Sequence, residues 1–239
     1  MKVAILFSGQ PRFYDRLSYV QHKKRLLDVY DCDVFCHFWW SLTGGEYQTA
    51  PWSGLGALPM ERDVDVKISE LYRPKAMLHE PPPPESIVSA EYPATCTSDT
   101  PYNLHSMYLS MKKSYELMAE YATLHGVTYD VVIRTRYDNV FTSFPDLKLL
   151  AKDKMYFVHR CEEVRPVITN ECVIFVGVAW VKEFMHIYDK IRDIYVKTGY
   201  LNDEMNVHTY MKTLNVKRED MVFLALSQFD LFLDRSGLR

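Results

Sequence analysis

The chain has 239 residues, 48% hydrophobic and 25% charged, enough to bury one continuous core and short for two domains. Its net charge of −3 and pI near 6.2 exclude a general nucleic-acid binder, which needs a basic surface to neutralise phosphates. The 17 Tyr, 12 Phe and 4 Trp make it unusually aromatic, a property that suits flat ligands and ordinary cores alike.

The run Val3 to Phe7 is too short for a signal peptide or membrane span and reads as a buried strand that stops at the turn Ser8-Gly9-Gln10-Pro11. Phe13, Leu17, Val20 and Leu27 then recur at helical spacing, and Cys32 to Trp39 reads as a second strand. A strand-helix-strand opening predicts a largely parallel sheet with functional loops at the carboxyl ends of its strands. Ser41 to Met60 lacks a period and predicts a long loop, followed by a helix over Asp63 to Tyr72 and a strand over Lys75 to His79. Pro81 to Pro84 opens a stiff excursion to about Pro101. Thr100 then suits a helix cap, with Leu104, Met107, Met111, Tyr115 and Met118 on one face.

Tyr129 to Ile133 reads as a strand that runs into Arg134-Thr-Arg136-Tyr-Asp138. Met155 to Val158 and Cys172 to Val176 predict two more strands, and Val181 to Tyr195 a helix. Asn202 suits the cap of another helix through Leu214, and Met221 to Leu226 a last strand. The five cysteines, Cys32, Cys36, Cys96, Cys161 and Cys172, show no zinc spacing and read as reduced thiols of a cytoplasmic protein. The histidines show no HxxxH spacing, so no zinc site is expected. The fold class expected is α/β, one domain over residues 1–239 with a Rossmann-like, mostly parallel central sheet flanked by helices.

Four places can carry chemistry. Charged groups at the end of a buried strand need partners or a ligand; were that strand to continue, Arg134, Arg136 and Asp138 would share one face. Arginine forks match phosphate oxygens and a carboxylate can hold a divalent ion, while an internal Arg-Asp network is the structural alternative. Asp203 and Glu204 suit either a catalytic base or a helix first turn. Ser8, Gly9, Gln10 and Arg12 follow the first strand, where a nucleotide rests against backbone amides, although a surface turn explains them equally. His37, Trp39 and Trp40 could stack on a base or sugar or simply fill the core.

Five segments taken in order resemble the GT-A-like glycosyltransferases of large DNA viruses of the chlorovirus type, phages and bacteria. They are Val3-Ala-Ile-Leu-Phe-Ser-Gly-Gln-Pro-Arg12, Asp33-Val-Phe-Cys-His-Phe-Trp39, Leu71-Tyr-Arg-Pro74, Ser106-Met-Tyr-Leu-Ser110 and Tyr129-Asp-Val-Val-Ile-Arg-Thr-Arg-Tyr-Asp138. The resemblance implies a GT-A-like fold, a nucleotide-diphosphate sugar donor, a glycan or other hydroxyl acceptor, and a viral protein's home in the host cytoplasm. It implies that Asp138 stands for the metal-binding end of a DxD motif, holding Mn²⁺ or Mg²⁺, and that Asp203 or Glu204 is the base of an inverting enzyme. The chain departs from that pattern at Arg136, which occupies the first acidic position. A non-catalytic carbohydrate-binding or virion-associated protein and a nucleotidyltransferase are the competing readings.

Overall fold

The continuous apolar runs become the middle of a sheet. In the computed structural model residues 1–47, 57–84, 86, 92, 101–158, 160–162, 165–167, 172–199 and 203–233 are described, with residues 160–162, 165–167 and 203–205 described by their backbone alone. The first run is β1 (Lys2–Gly9), whose Val3 to Phe7 are fully buried. It pairs in parallel with β2 (Asp31–Trp39) on one side and with β6 (Val131–Thr135) on the other. Strands shielded on both faces read as unbroken hydrophobic stretches because no face meets water.

The seven-stranded sheet has the order β5 (Ala76–Glu80), β2, β1, β6, β11 (Val173–Val176), β8 (Lys154–Val158), β12 (Met221–Leu224). Only β11 runs against the others, being antiparallel to both β6 and β8. The expected α/β class with a mostly parallel sheet is therefore the observed one. From β5 the neighbours descend in chain order to β1, and β6 then takes the far side. The strand order thus reverses between β1 and β6, and open α/β sheets take their ligands at the carboxyl ends of strands beside such a reversal.

Helices cover both faces. Val3, Ile5 and Phe7 point to a core with Leu26, Val64, Ile68 and Tyr72, supplied by α1 (Leu17–His22), its π-helical continuation Lys23–Leu27, and α2 (Val64–Tyr72). Ala4, Leu6 and Val132 point to the opposite core, with α3 (Pro101–His125), α4 (Val181–Met185), α5 (Ile191–Thr198) and α6 (Asp203–Thr213). Each such fully buried aliphatic or aromatic side chain stabilises the fold by about 1.5–3 kcal/mol relative to exposure.

Several expectations change in detail. In α1 and its π-helical continuation Leu17 and Val20 are exposed, whereas Ser18, His22 and Leu26 face inward. The reason is aromatic: His22 lies 5.1 Å from the Phe7 ring and 5.4 Å from Phe141, centroid to centroid. The expected helix over 181–195 is broken by a 3₁₀ turn, Ile187–Lys190. The loop over 41–60 carries a short hairpin at its stem, β3 (Glu46–Tyr47) with β4 (Leu58–Pro59). Two further pairings join β7 (Asn139–Ser143) to β13 (Asp230–Leu233) and β9 (Arg160–Glu162) to β10 (Arg165–Val167). Thr100, Asn202, His159, Cys96 and the loop over 48–56 lie outside the described residues. Cys32, Cys36 and Cys172 are free thiols, and no described helix is long and apolar enough to cross a membrane.

Candidate functional site

Local chemistry stops β1 and β6 at the same level. Gly9 ends β1 with φ +106°, a conformation that side-chain-bearing residues rarely adopt, and a Cβ built there would meet open space. Its N–H donates to Ser110 Oγ at 2.7 Å, and that oxygen also meets His37 Nδ1 at 2.7 Å. The end of β1 is thus tied to α3 and β2. The chain then turns sharply, with Arg12 N–H donating to the Gln10 carbonyl at 2.9 Å and Phe13 held at φ +55°. A non-glycine residue in that region stores strain and is worth a functional question.

β6 ends at Thr135, before the charged motif is complete. Arg134 and Asp138 therefore do not share a strand face, and the expected convergence of three side chains does not form as drawn. Arg134 is buried, and its Nε donates to Ser8 Oγ at 3.3 Å. The Asn139 side chain donates to Thr135 Oγ1 at 3.0 Å and closes the turn that follows. Between the two, Tyr137 is fully buried, stacked 5.0 Å from Phe7 and packed edge-on against Phe38 and Tyr72. With Tyr137 anchored in the core, its neighbours Arg136 and Asp138 are fixed together at the carboxyl end of β6.

There the residues make one ionic unit. Arg136 grips Asp138 as a fork, Nε to Oδ1 and Nη2 to Oδ2, both at 2.8 Å. Arg12, 126 residues earlier, donates through Nη2 to Oδ2 at 3.2 Å. The Asp138 side chain is 4% exposed, against 23% for Arg136 and 14% for Arg12. Burial alone would raise the Asp138 pKa, but the charges of Arg136 and then Arg12 outweigh it and hold the carboxyl below its ordinary value. The loop-41 hairpin stands beside this unit, since the buried Tyr47 hydroxyl lies in the fields of Glu61 and Arg12.

Other candidates resolve differently. His37, Trp39 and Trp40 are buried and offer no stacking face. Trp39 Nε1 donates to the Ser106 carbonyl and Trp40 Nε1 to that of Glu61, at 3.1 and 2.7 Å. Burial, then the charges of Lys113 and His79, lowers the His37 pKa to about 3. Asp203 and Glu204 open α6, and their side chains lie outside the described residues. Through Val207, Tyr210 and Met211, α6 packs on the sheet face of Leu6 and Val132; Ser8 and Arg134, two residues further along those strands, point to that same face.

The described residues do not gather the ligands of a divalent ion. Such ions take several oxygen ligands, both Asp138 oxygens carry arginine donors, and no group of three His, Cys, Asp or Glu is gathered among the described residues. Sequence reasoning missed Arg12 as the partner of Asp138, because nothing local in the sequence signals a pairing over that separation.

No protein-family model matches the chain, and no curated protein sequence does. Solved structures that match include the glycosyltransferase GlyE of Streptococcus pneumoniae TIGR4, in its apo form and in a second structure. Their identities are 13% and 12%, and their TM-scores 0.41 and 0.40. Galactosyltransferase LgtC, in complex with donor and acceptor sugar analogs, matches at 10% identity with a TM-score of 0.47. Each alignment covers 93% of this chain, with 44% of GlyE and 73% of LgtC. The chain thus spans less than half the length of GlyE.

Proposed function

We propose that the chain is a glycosyltransferase that moves a sugar from a nucleotide-diphosphate donor to a glycan or other hydroxyl acceptor, as its resemblance to the GT-A-like enzymes of large DNA viruses, phages and bacteria implies. The observation that carries the reading is the meeting of Arg12 and the Arg136-Asp138 pair at the sheet's strand-order reversal. Two cations fixed at the carboxyl ends of parallel strands suit a diphosphate.

In this reading the nucleotide lies against Ser8, Gly9 and Gln10, where the backbone of Gly9 can be approached closely. The diphosphate meets Arg12 and Arg136, with Arg134 behind Ser8. As the sugar's anomeric carbon parts from the diphosphate, negative charge grows on the leaving oxygens, and these preoriented guanidiniums stabilise it. The acceptor enters beneath the loop over 41–60. Asp203 or Glu204, at the start of a helix on the Arg134 face, removes the acceptor proton if the anomeric centre inverts. The whole chain works as one unit in the cytoplasm, where free thiols persist.

The test is thermal unfolding of the purified chain against UDP-, GDP- and dTDP-sugars, since a ligand that binds only the folded state raises the midpoint. A rise with one donor, followed by release of its nucleoside diphosphate when an acceptor is added, is the expected result. No rise with any donor contradicts the reading. Arg136 in place of an acid favours one rival, a carbohydrate-binding or virion-associated protein without turnover. That rival predicts stabilisation by glycans and no nucleoside diphosphate release.

A further inference from the structure

We infer that Asp138 is a positioning residue and not a metal ligand: it holds Arg136 and Arg12 as a preformed cationic cradle that takes a nucleoside diphosphate without a divalent ion. This rests on the transferase reading and specifies how its site handles charge.

Three observations carry it. The fork from Arg136 occupies both Asp138 oxygens, and Arg12 adds a further bond to one of them. A dication on this carboxylate would sit beside two guanidiniums already bonded to it. Exposure runs in the complementary sense: the carboxylate is 4% exposed, against 23% for Arg136 and 14% for Arg12. The arginines are thus more accessible to an incoming anion than the carboxylate they hold. Finally, the pair is fixed from below, because the intervening Tyr137 is locked between Phe7, Phe38 and Tyr72. The carboxylate holds both guanidiniums in place before the ligand arrives, which lowers the ordering cost of binding. The carboxyl stays ionised because its arginines hold its pKa down.

Isothermal titration calorimetry of the whole chain with UDP, GDP and dTDP, each in EDTA and again in excess Mn²⁺ or Mg²⁺, tests this. The cradle predicts that the best diphosphate binds in EDTA within about threefold of its affinity with metal. Arg136→Lys keeps the charge and loses the fork, so it weakens binding in EDTA by roughly tenfold or more. Asp138→Asn weakens binding by about as much and leaves it just as indifferent to metal. Binding that requires Mn²⁺ or Mg²⁺, and loses that requirement in Asp138→Asn, overturns the cradle while the transferase reading stands. Binding of no diphosphate under either condition overturns both. Should Asp138→Asn fail to fold, the wild-type comparison with and without metal and the Arg136→Lys titration still decide the matter.

Discussion

The Arg136-Asp138 fork can be weighed by a double-mutant cycle made from Arg136→Ala, Asp138→Ala and the double variant. An exposed ion pair couples by about 0.2–1 kcal/mol, whereas removing one partner of a fully buried pair costs about 3–5 kcal/mol. Here the carboxylate is 4% exposed and Arg136 23%, so the pair lies between those limits. Two charge-assisted bonds at 2.8 Å place the coupling at about 2 kcal/mol. For a chain of 239 residues the unfolding entropy is about 0.5 kcal/mol/K, so 2 kcal/mol moves the melting midpoint by about 4 °C. Guanidinium chloride unfolding of the four proteins at pH 7 gives the cycle directly. Since the folded-state pKa of Asp138 is depressed from 3.8, the coupling is fully present above that value and is lost as pH falls through the folded pKa. A coupling below about 0.5 kcal/mol, the value of a surface pair, would falsify the fork.

Further outcomes follow from neighbouring residues. Tyr137→Phe keeps the stacked ring and changes stability by less than about 1 kcal/mol, whereas Tyr137→Ala costs about 3–5 kcal/mol and releases Arg136 and Asp138; denaturant midpoints and diphosphate affinity, measured together, check both. Gly9→Ala meets no steric block but puts a side chain at φ +106°; it should lower stability by about 1–3 kcal/mol in thermal melts. His37 is buried with its pKa lowered from 6.5 to about 3, so its unfolded form binds a proton first as pH falls. Its contribution is full above the unfolded value and is lost from pH 6.5 downward, by about 2 kcal/mol between pH 7 and pH 5. Unfolding free energies at those two pH values should therefore differ less in His37→Gln than in the wild type, by about that amount.

What could be read from the sequence divides along physical lines. β1, β2 and β6 were legible because strands buried on both faces leave unbroken apolar runs, and the crossover segments between them imply parallel pairing. β7 and β13 were not, since Asn139–Ser143 begins directly after a turn and pairs with a segment nearly a hundred positions away. The inward face of α1 was misread because its buried ring is His22, which apolar periodicity does not count. In the site, the motif from Arg134 to Asp138 stood out as costly polar residues beside a hydrophobic strand. That Arg134 turns to Ser8 while Arg136 and Asp138 pair with Arg12 depends on where β6 ends and on its register with β1. Neither is written in any local spacing. Of the two roles open to Trp39 and Trp40, stacking or core filling, burial is the observed one, because each indole N–H finds a backbone carbonyl inside the fold.

The central claim is that the carboxyl ends of β1 and β6 form a diphosphate site. A crystal structure of the chain grown with the nucleoside diphosphate that raises its melting midpoint most tests that claim directly. Phosphate oxygens are expected about 3 Å from guanidinium nitrogens of Arg12 and Arg136, with the nucleoside along Ser8 to Gln10. A diphosphate bound elsewhere, with the Arg136-Asp138 fork and the Gly9 turn untouched, would contradict it.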